Sequence, residues 1–250
     1  MSLIIGMSYR DEFILVSNDS KVTMQMYNAK TLEPSFDKIT ETNLTREKVY
    51  LVTNKVLLSA TGYMDAGKVV EKELYKRVSP DNDLAECADI LQNLIFELKA
   101  GLIHDLSEKE TNSIRFLKGD SGFTCNLFGF FHDGMTGIVD YNITESDIGF
   151  DISKSSMVKG YPAIIQSPEP EKDRGNFNKY LSLPKEEQKL DNFVNQFVTI
   201  HAHLSSIYKG VSTDCNFHVL HNDGNTINYY KHTVETEEFY DDLGLTKDMK

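Results

Sequence analysis

The chain has 250 residues, 40% of them hydrophobic and 26% charged, and 38 acidic against 26 basic side chains leave a formal charge of −12. That length fits one large domain or two small ones and buries a core without staples. The acidic balance argues against nucleic acid and against an anionic membrane surface, since both need a basic face.

The distant cysteines Cys87, Cys125 and Cys215 suggest neither a disulfide framework nor a paired metal motif. No apolar run approaches the roughly 20 residues of a membrane span. The first residues lack a basic n-region, so a cytoplasmic protein with no membrane or nucleic-acid partner is expected.

In chain order, Ile4–Met7 and Phe13–Val16 are apolar runs around the turn SYRDE, which predicts a hairpin covered on both faces. Residues Ser17–Glu47 are mixed and polar and read as a long connection with one short strand. Lys48–Ala60 predicts a second hairpin around Thr53-Asn54-Lys55. A loose helical stripe runs from Met64 to Val78 and stops before Pro80. Asp81-Asn82-Asp83 then offers caps for an amphipathic helix with Leu84, Cys87, Leu91, Leu94, Leu98 and Leu102 on one face.

Phe123–Asp140 reads as a hairpin around His132-Asp133-Gly134, followed by a strand and turn between Gly149 and Gln166. Ser167–Gly175 is polar and proline-rich and reads as a surface loop. Leu190–Tyr208 predicts a second strong helix with Phe193, Phe197, Ile200 and Leu204 on one face. Asn216–Leu220 and Thr226–Lys231 flank the turn Asn222-Asp223-Gly224, and residues 235–250 form an acidic, loosely held tail. Strands arrive as hairpins and not as βαβ units, which disfavours a Rossmann or TIM architecture. The expectation is a single α+β domain over 1–250, two antiparallel sheets with helices on their outer faces.

Two blocks carry a resemblance. SLIIGMSYRDEFILVSNDS, Ser2 to Ser20, has a hydroxyl residue, apolar residues, glycine, a strand, a polar turn and a second strand. KVYLVTNKVLLSATG, Lys48 to Gly62, has a lysine, a strand, a turn and a second strand ending in small residues and glycine. In this layout the chain resembles the proteasome-like N-terminal-nucleophile (Ntn) hydrolases. The resemblance implies a four-layer αββα sandwich and an amide or peptide hydrolase acting through a terminal hydroxyl.

By that resemblance Ser2 is the nucleophile, Lys48 its electrostatic partner, and Gly62 the backbone donor to the oxyanion. The family's orienting carboxylate falls on Asn18, a neutral amide. Asp19 is one step along, and on a strand one step points to the opposite face. The family's later Gly-Ser-Gly turn falls on Lys159-Gly160-Tyr161-Pro162, without a serine. Ser212 or Asp214 stands in for its last Asp and Ser only with a shift.

His201/His203 and His218/His221 lack ligand spacing, and no phosphate-cradling glycine loop is present, so neither metal nor cofactor is expected. Two functions follow. One is a serine- or threonine-type peptidase with a degraded site and a peptide substrate. The other is an inactive, proteasome-like homo-oligomeric scaffold. A start at Met-Ser favours the first, and a start at Ile4 the second.

Overall fold

A computed structural model describes residues 3–27, 34–62, 64–114, 123–143, 148–157 and 161–245. The fold is α+β, with two five-stranded antiparallel sheets. The first sheet has the order β10-β1-β2-β11-β12. Its strands are β1 (Ile4–Tyr9), β2 (Phe13–Asp19), β10 (Ala163–Gln166), β11 (Asp214–Asn222) and β12 (Ile227–Glu235). The second has the order β5-β6-β7-β8-β9. It comprises β5 (Val49–Thr53), β6 (Val56–Thr61), β7 (Thr124–Phe130), β8 (Thr136–Ile143) and β9 (Ile148–Lys154).

The stretch expected to be a connection contains the long ribbon β3 (Lys21–Tyr27) and β4 (Pro34–Thr45), paired antiparallel with two register shifts. The strand and turn expected between Gly149 and Gln166 are two strands in different sheets. β9 closes the second sheet on β8, and β10 adds to the free edge of β1.

Among the described residues the α-helices are α1 (Met64–Tyr75), α2 (Leu84–Ala100), α3 (Glu108–Ser113), α4 (Pro170–Leu181) and α5 (Leu190–Ile207). α2 starts in a capping box: Asp83 Oδ1 accepts from the Glu86 N–H, and the Glu86 carboxylate accepts from the Asp83 N–H. It ends at Gly101, in the left-handed conformation at φ 70° that glycine adopts without strain. The segment expected to be a surface loop after Ser167 becomes α4, with Pro170 in its first turn, where a missing N–H does no harm.

Three apolar layers hold these parts together. α1 and α2 pack on β5–β8 through Val69, Leu74, Leu91, Ile95, Leu127 and Tyr141. α4 and α5 pack on β1, β2 and β11 through Leu3, Ile5, Phe13, Phe177, Phe193 and Phe197. Between the sheets lie Ile4, Ile14, Val16, Leu57, Phe128 and Ile138. This layering is compatible with a four-layer sandwich. The period of 2 is visible in β1, where Ile5 and Met7 face the helices and Ile4 faces the other sheet.

Gly6 lies under the Phe128 ring, and a Cβ there would come 2.1 Å from Phe128 Cε1. The acidic tail docks: Thr236 is fully buried, and the Tyr240 hydroxyl lies 2.8 Å from Ser205 Oγ on α5. Residues 246–250 of that expected tail lie outside the described residues. Among the described residues no helix is long and apolar enough to cross a membrane.

Candidate functional site

β2 is the middle strand of its sheet, held between β1 and β11, so both of its faces are buried. Its last residue, Asp19, sits opposite Leu3. The Asp19 N–H donates to the Leu3 carbonyl at 3.1 Å, and the Leu3 N–H donates to Asp19 Oδ1 at 2.6 Å. Lys48 comes from the other sheet, immediately before β5, and its Nζ donates to the same Oδ1 at 2.6 Å. The Lys21 N–H donates to Oδ2 at 3.2 Å.

The Lys48 ammonium and the Leu3 amide nitrogen therefore share one acceptor and lie within about twice 2.6 Å of each other. Asp19 has no exposed surface and Lys48 keeps 6%. Burial pushes the Lys48 pKa below the ordinary lysine value, against the charge and hydrogen bond of Asp19, which favour the ammonium.

A second ring of polar contacts fixes this pair. The Ser20 N–H donates to Ser212 Oγ at 3.1 Å, and Ser20 Oγ donates to Asp214 Oδ2 at 3.0 Å. The Arg46 N–H donates to the Ser20 carbonyl at 2.7 Å, which ties the approach to Lys48 to the exit from Asp19. From α5 the fully buried His201 brings Nε2 to 2.9 Å from the Ser212 carbonyl. Burial holds its pKa below the ordinary histidine value, opposed by that hydrogen bond and by the charges of Asp19 and Asp214.

Gly62 follows β6 at φ 91°, a left-handed conformation that favours glycine. Its neighbour Thr61 donates from Oγ1 to Gln166 Oε1 at 3.2 Å, and Gln166 is the register partner of Ile4. The start of β1 is thus bordered by Asp19 and Lys48 on one side and, through Gln166, by the end of β6 on the other.

The partner of Lys48 is Asp19 and not Asn18, which corrects the sequence reading. Alternation along β2 holds. Asn18 Nδ2 donates to the Asp19 carbonyl at 2.8 Å, and its side chain lies on the opposite face from the pair. The pair lies on the Asp19 face, toward α5, where both charges act on His201. Ser2 lies outside the described residues, as do Lys159 and Gly160 of the Lys159-Gly160-Tyr161-Pro162 turn. Ser212 and Asp214 meet Ser20, a residue the sequence reading gave no role. The signal that pointed to it was the Asp19-Ser20 dipeptide closing the first block.

Among the described residues no three His, Cys, Asp or Glu side chains group to hold a metal ion. Chemically, the pair fixes a positive charge beside the Leu3 backbone in a site sheltered from water, where electrostatic effects are strong. The side chain at its focus, Leu3, is apolar and fully buried. Comparison with protein-family models and with curated proteins gives no match for this chain.

Proposed function

We propose that the chain is a proteasome-like, Ntn-hydrolase-fold protein that keeps the lysine–carboxylate pair as an internal clamp and acts through homo-oligomeric assembly instead of amide hydrolysis. One observation carries this reading: Asp19 Oδ1 accepts from both Lys48 Nζ and the Leu3 N–H. Hydrolysis by this route requires the lysine charge to be aimed at an attacking hydroxyl. The residue at the focus of the pair is Leu3, which has no side-chain oxygen.

Two antiparallel sheets with helices packed on them support the fold part. Phe96, Leu102 and Ile152, the last on edge strand β9, are exposed apolar side chains that such an assembly would cover.

The test combines three measurements on the full chain: turnover of fluorogenic acyl-peptides, intact mass after treatment with a peptide vinyl sulfone, and light scattering. The expected result is no turnover, no adduct, and a mass that is a multiple of 28.4 kDa. An adduct on Ser2, with turnover abolished by Ser2→Ala, establishes the peptidase reading instead. A mass of a single chain at micromolar concentration removes the assembly role.

A further inference from the structure

The two five-stranded sheets end in the edge strands β10, β12, β5 and β9. An edge invites pairing with another chain, and folded proteins blunt it with short length, proline, bulges or charge. β10 and β5 have four and five residues. β9 has seven and already sets Asp151 against Asp140 of β8, so a further strand there meets concentrated negative charge. β12 is different. It runs for nine residues, INYYKHTVE, without proline or glycine, and pairs with β11 in an unbroken register. Its isoleucine, tyrosines, threonine and valine are strong strand formers.

The ladder fixes which way the β12 backbone points. At one end the Asp223 N–H donates to the Thr226 carbonyl, and at the other the Thr236 N–H donates to the Thr213 carbonyl. Hydrogen-bonded pairs alternate along an antiparallel ladder. Asn228, Tyr230, His232 and Val234 therefore use their N–H and C=O groups on β11. Ile227, Tyr229, Lys231, Thr233 and Glu235 turn theirs outward. Among the described residues none of these outward backbone groups has a hydrogen-bond partner.

The strand is complementary to itself. In a chain of charge −12 it carries one lysine and one glutamate and is neutral. The Lys231 charge, the usual guard of an edge, is taken up by Glu47 Oε1 at 2.5 Å. Two copies related by a twofold axis set outward residues opposite outward residues, and the axis passes through one residue. An axis at Lys231 opposes two ammonium groups, and an axis at His232 sets Tyr229 opposite Glu235 of the second copy. An axis at Tyr230 sets Ile227 opposite Thr233 and Tyr229 opposite Lys231 of the second copy, with no like charges facing. It also covers Tyr230, which at 56% exposure is the one large apolar side chain exposed on the first sheet. Tyr230 then faces its counterpart at a ladder position without hydrogen bonds, where opposed side chains lie closest and aromatic pairs are favourable.

We propose that β12 pairs antiparallel with β12 of a second copy about a twofold axis at Tyr230, joining two five-stranded sheets into one of ten strands. Four hydrogen-bonded residue pairs with two bonds each give about eight new backbone hydrogen bonds. This rests on the proposed assembly role and deepens it by naming one interface and its register.

The experiment is disulfide trapping of the full chain at micromolar concentration with diamide as oxidant. Cys87, Cys125 and Cys215 are buried, so an added surface cysteine is the one that reacts. Residues opposed at a position without hydrogen bonds have Cα atoms about 4.5 Å apart, inside the disulfide range of about 4.4–6.8 Å. Tyr230→Cys is expected to give a species of twice 28.4 kDa on non-reducing gels, lost on reduction. His232→Cys, whose two copies are roughly 13 Å apart in this register, reacts at least about tenfold more slowly. Light scattering provides the second readout. Lys231→Pro removes a central outward N–H and spares the β11 ladder, since an edge strand accepts proline where the nitrogen faces outward. Lys231→Leu loses the Glu47 pair equally and keeps the N–H. The proline variant, checked for fold by circular dichroism, dimerises at least about tenfold more weakly than the leucine variant. If it fails to fold, the trapping still decides. No Tyr230→Cys dimer, an equal yield from His232→Cys, or equal dimerisation of folded Lys231→Pro and Lys231→Leu overturns the proposal. A wild-type mass above one chain beside such a result leaves the assembly role to another surface, and a wild-type mass of one chain removes both.

Discussion

Removing one member of the Asp19–Lys48 pair tests whether it is a clamp. Lys48→Met leaves a fully buried carboxylate held, among the described residues, by the N–H groups of Leu3 and Lys21, at 2.6 and 3.2 Å. Breaking a buried ion pair from one side costs about 3–5 kcal/mol, and the two remaining donors place this variant near 3. Asp19→Asn instead leaves the ammonium unpaired. Its folded-state pKa, already lowered by burial, loses the partner that raises it.

The unfolded chain then binds more protons than the folded one below the ordinary lysine pKa. The stability of Asp19→Asn therefore rises with pH toward about 10.4, more steeply than that of the wild type. The double variant carries no buried charge at the site, so its loss is smaller than the sum of the two single losses. A coupling of about 2 kcal/mol or more is expected. Urea denaturation followed by far-ultraviolet circular dichroism is the assay, since the chain has no tryptophan. Single losses below about 1 kcal/mol, or additive effects in the double variant, refute the clamp.

Gly6→Ala sets a methyl group 2.1 Å from Phe128 Cε1 and lowers stability by about 1–3 kcal/mol, with partial recovery when Phe128→Leu is added; thermal melts of the three variants check this. Asp83→Ala removes the acceptor of the Glu86 N–H and lowers stability by about 1 kcal/mol in urea titration, whereas Asp83→Ser keeps most of it. His218 titrates near 6.5 when unfolded and at about 4 when folded, so its contribution is complete above about 6.5 and is lost as pH falls toward 4. The total is roughly 3 kcal/mol, read as the difference between the wild-type and His218→Phe stability curves against pH.

The parts of the fold that were legible in the sequence are those whose residues carry a strong period. Leu84, Cys87, Leu91, Leu94 and Leu98 of α2, and Phe193, Phe197, Ile200 and Leu204 of α5, mark a buried stripe because a sheet covers one side of each helix. α4 escaped because it is mostly polar and offers the core mainly Phe177 and Leu181. The β3–β4 ribbon escaped for a related reason. It belongs to neither five-stranded sheet, and its mixed polar sequence carries no clear alternation. The split of β9 and β10 between two sheets is a matter of topology, and local pattern carries no record of which edge a strand joins.

The site shows the same boundary between local and long-range information. Alternation along β2 correctly sets Asn18 and Asp19 on opposite faces. It says nothing of which face receives Lys48, because that depends on how the second sheet meets the end of the first. The Arg46 N–H settles the matter by bonding the Ser20 carbonyl, so the chain enters β5 beside the exit from β2. From there the four-carbon stem of Lys48 reaches the face of α5 and His201 instead of the face of Asn18 and His218. An amide in place of a carboxylate at that position keeps that face neutral, and a carboxylate there would share a small cleft with Glu47. The two adjacent residues thus divide the chemistry: Asp19 holds a buried charge in place, and Asn18 puts an uncharged amide on the opposite face of the strand.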